Sequence, residues 1–228
     1  MKMKHRLDRE GIAMRVAREL EDGQCINLGF GIPTLVSSFI PPEMTIFFHS
    51  EHGIIGYGRV LTIDEMDKMD YDFINAGGQF VTPLPGMCIV DHAVSFTLIR
   101  GGRLDISVLG ALQVSEEGDL ASWTRSHDIR QGGISVGGAM DLAIGAKKVI
   151  VGMEHVTKDG RPKIVKKCSF PLTAKKCVDL IVTDLAVIKL TAEGLLLKEI
   201  APGWIVEEVQ ALTEPKLIVA KDLKEVEL

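Results

Sequence analysis

The sequence predicts an α/β fold: an open, mostly parallel sheet flanked by helices, with antiparallel strands at the C-terminal end. Three observations carry this reading. Short apolar runs alternate with segments of helical periodicity, as in successive β–α–β units. Two of the runs, residues 105–113 and 147–154, are almost unbroken, as expected of strands buried on both faces. Glycines gather at the ends of strands and the starts of helices: Gly29 with Gly31, Gly77 with Gly78, and Gly137 with Gly138.

Taken in order, residues 7–21 read as an amphipathic helix. Ile12, Val16 and Leu20 repeat every four residues, Arg9, Glu10, Arg15, Arg18 and Glu19 occupy the other face, and Gly23 follows. Residues 25–29 form a strand, Gly29 to Gly31 a glycine turn, and residues 34–39 a short helix. That order suits phosphate at a helix N-terminus, although it falls short of a full G-x-G-x-x-G and also fits a plain βα turn. Residues 44–48 read as a buried strand that empties into His49, Ser50, Glu51 and His52, then Gly53. A polar block beyond the carboxyl end of a strand is where open α/β sheets place ligands. Glu51 is the candidate nucleophile there.

Further along, residues 63–70 are an acidic surface segment, and Asn75-Ala-Gly77-Gly78 makes a second glycine turn. Asp91 caps a helix through Ile99 that Gly101-Gly102 ends. Residues 105–113 read as a central parallel strand, and 115–130 as a charged loop carrying Trp123 and His127. Glycine pairs then bracket residues 134–136. Gly138 leads a helix whose first free backbone N–H groups suit a developing oxyanion. Residues 147–154 form another buried strand, Lys158-Asp159-Gly160 a tight turn, 179–190 and 195–200 antiparallel strands, 205–212 a helix and 217–220 a last strand.

With 228 residues and no repeat, low-complexity tract or linker, residues 1–228 read as one domain, large enough to bury roughly 70% of its unfolded surface. A formal net charge of -5 argues against nucleic acid and anionic membranes as partners. No apolar run is long enough to span a bilayer, and no apolar stretch follows the basic Met1-Lys-Met-Lys-His-Arg6, so neither membrane nor secretion is expected. The four cysteines are scattered without zinc spacing, which agrees with a cytoplasmic protein; Cys25 and Cys88 read as buried free thiols. His49, Glu51 and His52 are close in sequence, but an extended chain turns His52 away from the other two, so no metal site is expected.

The ordered motifs identify the chain as similar to the β (B) subunits of class I, 3-oxoacid-type CoA-transferases. The resemblance runs from Asn27-Leu-Gly-Phe-Gly-Ile-Pro33, Ser50-Glu51-His52-Gly53 and Asn75-Ala-Gly-Gly78 to Leu84-Pro-Gly86 and Val108-Leu-Gly-Ala-Leu-Gln-Val114. It continues through Gly137-Gly-Ala-Met-Asp-Leu142, Met153-Glu-His155 and Pro171-Leu-Thr173. It implies the NagB/RpiA/CoA-transferase-like fold. It implies that Glu51 attacks an acyl-CoA thioester and becomes a glutamyl-CoA thioester in a ping-pong exchange. Gly138 would offer a backbone N–H to the oxyanion, and an α subunit absent from this chain would offer another, in an α2β2 or larger assembly. Gly29, Gly31, Asn75, Gly77, Gly78 and Gly137 become candidates for lining the CoA and acyl sites. Coenzyme A would be a substrate, with no permanently bound cofactor, and the acids would be 3-oxo or short-chain acids.

Three departures stand out. His52 replaces the Asn usual in the family, and together with Ser50 becomes a candidate modulator of Glu51. His49 stands where a neutral residue such as Gln is common. The segment 124–136 lacks the family's Pro-Gly-Lys-Met pattern before Gly137. Two other readings stay open on these residues: an acyl-CoA hydrolase on the same scaffold, and a catalytically altered or inactive subunit.

Overall fold

The computed structural model describes residues 3–128, 130 and 136–228, apart from the side chain of Met66. Helix α1 (Arg9–Ala17) starts where the Asp8 carboxylate accepts from the Gly11 N–H at 2.7 Å. It is shorter than the expected 7–21. After Ala17 the chain tightens, Glu19 N–H bonding back to Val16 C=O, and turns out before Gly23, whose φ of 80° no longer permits a helix.

Strands β1 (Cys25–Leu28) and β2 (Phe47–His49) are joined by the single-turn helix α2 (Ile32–Leu35) and a 3-10 turn over Val36–Phe39. Strand β3 (Ile54–Tyr57) doubles back on β2, and β4 (Cys88–Ile89) on β3. Helix α3 (His92–Arg100) is capped by Asp91, as its sequence predicts. Strand β5 (Ile106–Leu109) lies beside β1; β8 (Lys148–Gly152) lies beside β5 and β10 (Leu180–Val182) beside β8, all parallel. The hairpin β11 (Ala186–Thr191) and β12 (Gly194–Ile200) continues the sheet antiparallel, and β13 (Leu217–Glu225) closes it parallel to β12. Ten strands thus run in the order β4-β3-β2-β1-β5-β8-β10-β11-β12-β13. The expected architecture, parallel centre and antiparallel ending, is the observed one.

One expected strand divides. Residues 105–113 supply β5 and then, past Gly110, the start of β6 (Gln113–Ser115), which pairs with β7 (Leu120–Ala121) and β9 (Ile164–Val165) in a separate three-stranded sheet. An unbroken apolar run fits either sheet, so its pattern alone does not reveal the break. The last strand is longer than 217–220, because β12 offers it a partner up to Glu225. Of the stretch expected at 134–136, residues 134 and 135 lie outside the described residues.

Alternation sorts the side chains to two faces. Ile106, Val108, Ile150, Leu180 and Val182 pack with Ile12, Ala13 and Val16 of α1. Leu109, Val149, Val151 and Ile181 pack on the opposite face with Ile99 of α3, Leu142 and Ala143 of α4 (Ala139–Gly145), and Val209 of α5 (Val206–Ala211). Each fully buried Val, Leu or Ile contributes about 1.5–3 kcal/mol of transfer free energy, which makes this face-by-face burial the main force holding the helices on the sheet. Of the two cysteines expected to be buried, Cys25 is half-buried and burial pushes its thiol up to about 11. Cys88 is exposed on two-residue β4, the edge strand of the sheet.

Candidate active site

The carboxyl ends of β1, β2 and β5 lie side by side. Asn27 is in register with His49 on one flank and with Ser107 on the other. The segments leaving these strands therefore share one edge of the sheet. From β1 comes the Gly29 to Gly31 turn, and from β2 the turn Ser50-Glu51-His52-Gly53.

The β2 turn is tight. Ser50 N–H donates to Ile54 C=O at 2.8 Å, and Gly53 N–H donates to Ser50 C=O at 2.9 Å. Gly53 has φ 126°, and a Cβ there would lie 2.0 Å from the Val90 carbonyl oxygen, so only glycine closes this turn against the strand-β4 segment. The buried Ser50 hydroxyl and His52 Nδ1 are 2.9 Å apart, which braces the turn from inside. His52 itself is exposed. Its ring bonds to Ser50 and not to Glu51.

Glu51 is left half-buried at the turn's tip, and its carboxylate meets the start of α4. The Gly138 N–H donates to both carboxylate oxygens, at 3.0 Å each. Here too the contact requires glycine. A Cβ on Gly138 would lie 2.4 Å from Glu51 Oε2 and 2.9 Å from Phe96 Cζ, and one on Gly137 would lie 2.9 Å from Glu51 Oε1. Phe96 of α3 backs the donor, and α3 is clamped to α4 by Arg100, whose Nε and Nη2 donate to Asp141 at 2.7 and 3.2 Å.

Beneath the turn lies a buried polar group that the strand patterns did not announce as a unit. His49 ends β2 with 0% exposure. Asn27 Nδ2 donates to the His49 carbonyl at 3.1 Å and meets His49 Nδ1 at 3.0 Å; His49 Nε2 meets Ser95 Oγ of α3 at 2.9 Å. Burial, with a smaller contribution from neighbouring His52, pushes the imidazole down to about 4, so the ring is neutral at pH 7. Asn27, Ser95 and Phe96 were not predicted as site residues. The available signals were a polar residue inside the apolar run of β1 and a serine on the buried face of α3.

The remaining predicted positions make local backbone bonds of their own. Asn75 forms its own turn: Oδ1 accepts from Gly77 and Gln79 N–H at 2.9 and 3.1 Å, and its C=O accepts from Gly78 N–H at 2.9 Å. Gly77 packs against Thr34 of α2, which ties this turn to the Gly31 loop. Gly29 N–H donates to Val108 C=O at 2.8 Å, and Gly31 caps α2. With four residues and Pro33 in its first turn, α2 has little dipole to offer an anion. Among the described residues, no three His, Cys, Asp or Glu side chains are grouped to hold a metal ion, and no helix is long and apolar enough to cross a membrane.

Comparison with known proteins places the chain among relatives. Residues 9–212 match the family model described as coenzyme A transferase. The chain is 48% identical over 217 residues to the B subunit of 3-oxoadipate CoA-transferase from Acinetobacter baylyi, covering 95% of this chain and 97% of that one. It is 46% identical over 215 residues to the beta subunit of acetate CoA-transferase from Escherichia coli K12, covering 94% and 95%. It is also 46% identical to the mouse mitochondrial succinyl-CoA:3-ketoacid coenzyme A transferase 2B, covering 95% of this chain but only 41% of that protein. Among solved structures, an acyl-CoA transferase of Escherichia coli O157:H7 superposes with a TM-score of 0.71 at 21% identity, over 97% of this chain and 44% of that one. Glutaconate coenzyme A-transferase of Acidaminococcus fermentans gives 0.70 at 18%, over 99% and 91%. The decarboxylase AibA/AibB gives 0.70 at 18%, over 96% and 88%. At such identities these three speak for the fold alone.

Proposed function

Because the chain belongs to the coenzyme A transferase family, we propose that it is the β subunit of an enzyme that moves CoA from an acyl-CoA to a carboxylic acid through a thioester on Glu51. The observation that carries this is the Glu51 carboxylate resting on the Gly138 N–H at 3.0 Å. Nucleophile and donor share a space in which a reacting carbonyl would lie about 3 Å from each.

The chemistry follows from that pair. A Glu51 oxygen attacks the acyl-CoA carbonyl carbon, and the Gly138 N–H passes from the carboxylate to the developing oxyanion. When the C–S bond breaks, CoA leaves as thiolate and Glu51 holds a mixed anhydride. The thiolate then attacks the Glu51 side-chain carbonyl carbon, releasing the first acid as its carboxylate and leaving glutamyl-CoA. An incoming carboxylate reverses the sequence and departs as the new acyl-CoA. The acyl activation is kept throughout, first as the thioester, then as the anhydride and then as the glutamyl thioester, so no nucleotide is consumed, and the hard exchange is split into easier steps. One preorganised donor of this kind is worth about 3 kcal/mol. The names of the relatives, one a B subunit and one a beta subunit, support a partner subunit, and the second donor in this reading comes from that partner. Gly29, Gly31, Asn75, Gly77, Gly78 and Gly137 line the acyl and CoA paths, Ser50 and His52 tune the Glu51 turn, and CoA is substrate with no resident cofactor. The acids are short-chain or 3-oxo acids, and the assembly works in the cytoplasm.

A trapping experiment tests the reading. The chain, assembled with its α partner, is incubated with a panel of acyl-CoAs in the absence of acceptor acid and reduced with borohydride. Peptide mass spectrometry should find a reduced side chain at Glu51 that depends on acyl-CoA and disappears in Glu51→Gln. A folded assembly that gives no adduct with any acyl-CoA refutes the proposal. Turnover that needs no second acid would instead identify a hydrolase.

A further inference from the structure

We infer that His49, in a single neutral tautomer, is the positioning residue that sets the Glu51 turn and the Gly138 donor against one another. The inference rests on the reading of Glu51 and Gly138 given above.

The geometry leaves one arrangement of hydrogens. A carbonyl oxygen only accepts, so the Asn27 atom 3.1 Å from the His49 C=O is the amide nitrogen. That same nitrogen faces His49 Nδ1 at 3.0 Å and gives it its second hydrogen, so Nδ1 is the unprotonated acceptor. The proton of the neutral ring therefore sits on Nε2 and is donated to Ser95 Oγ at 2.9 Å. Protonating Nδ1 would set N–H against N–H in a buried site, which agrees with the strong downward displacement that burial imposes on this ring.

The consequence lies in what the two ends of the ring hold. On the Nδ1 side, Asn27 anchors the last residue of β2, immediately before Ser50 and Glu51. On the Nε2 side, Ser95 belongs to α3, and the next residue, Phe96, is the ring that backs Gly138. One side chain thus links the strand that carries the nucleophile to the helix that backs the donor. The titratable group that acts on it is His52 on its own turn, while β1 and α3 meet it with the neutral Asn27 and Ser95. Shifting either side by about 1 Å costs a reaction of this kind up to about 100-fold, without touching substrate.

The test compares His49→Leu, which fills the space without hydrogen bonds, with His49→Gln, whose amide oxygen and nitrogen reproduce acceptor and donor. It uses the assembled enzyme. Two readouts are taken: the rate of Glu51 adduct formation from acyl-CoA, and hydrogen–deuterium exchange of the peptide carrying Gly138. For His49→Leu we expect the rate to fall about 10- to 100-fold with little change in KM, and Gly138 to exchange faster. His49→Gln should restore both. Ser95→Ala removes only the Nε2 acceptor and should fall in the same direction, which keeps the test available if His49→Leu does not fold. Equal losses in the Leu and Gln variants, or no loss in Leu, overturn the inference. If the parent enzyme forms no adduct, the transferase reading fails separately, and Gly138 exchange alone then decides. Exchange that is faster in the Leu variant and normal in the Gln variant upholds the positioning role, and unchanged exchange in both overturns it.

Discussion

Gly138 is the residue at which local conformation and chemistry meet. Its backbone φ is -85°, which any residue tolerates, so nothing in its own conformation demands glycine. The demand comes from Glu51 Oε2 and Phe96 Cζ, which leave no room for a Cβ at 2.4 and 2.9 Å. Alanine at 138 has to push the carboxylate off the N–H, because on its other side stands the Phe96 ring, stacked on His92 and covered by Arg100. Gly138→Ala is therefore expected to keep its thermal midpoint within a few degrees while Glu51 adduct formation falls by about 100-fold, the usual consequence of losing one oxyanion donor. Circular dichroism melts beside the trapping rate check it. A variant with full activity would mean that Glu51 works without this donor.

At the scale of elements, α1 shows how a helix is fixed by more than its apolar stripe. Arg15 is buried, and its Nε and Nη2 donate to the two oxygens of Glu199 on β12 at 2.7 and 2.9 Å. Its Nη1 donates to Glu19 one turn on, at 3.0 Å. The periodicity places Arg15 on the polar face. The structure buries it because β12 brings a matching carboxylate from 184 residues away. A buried bidentate pair adds little to stability compared with an apolar pair, but breaking it on one side leaves a charge stranded. Arg15→Met is expected to lose about 3–5 kcal/mol in urea unfolding, and Arg15→Met combined with Glu199→Leu to recover most of it. If the single variant costs under about 1 kcal/mol, solvent reaches the pair and the burial described for it is wrong.

For the molecule as a whole, two buried histidines set the acid side of stability. His49 and His155 are each displaced from 6.5 to about 4, chiefly by burial. His155 meets Thr183 and Thr213 hydroxyls at 2.9 Å, with Asp184 pulling its proton affinity up and Arg6 and Lys163 pulling it down. Both pKa values are lower in the folded chain than in the unfolded one. Well above pH 6.5 both rings are neutral in either state and contribute no pH dependence. Between about pH 6.5 and 4 the unfolded chain takes up protons that the folded one refuses, so stability falls as pH falls. Each fully developed proton difference costs about 1.4 kcal/mol per pH unit. Chemical unfolding at half-unit intervals should show that slope approaching two protons near pH 5, and His49→Gln should remove about one of them. A flat profile from pH 6.5 to 4.5 would show that the rings are hydrated.

What the chain declared by itself was its alternation and its glycines. The unbroken apolar runs of β5 and β8, the β-rich run that holds β10, the four-residue repeat of α1, the Asp91 cap and the Ser50-Glu51-His52-Gly53 turn all depend on neighbours within a few residues, so they are legible without a fold. The same local code did not show that residues 105–113 serve two sheets or that Cys88 lies on a bare edge. Those outcomes depend on which strand or helix arrives alongside. The site divides in the same way. Glu51 and Gly138 were each legible from their surroundings, a polar block after a strand and a glycine opening a helix. Their contact across 87 residues, and the bridge from Asn27 through His49 to Ser95, were decided only by the parallel register of β1 with β2 and the packing of α3 on α4. Apolar periodicity tells a side chain which face to bury, whereas hydrogen bonds of this kind need a partner at about 3 Å, and only the folded sheet brings one there.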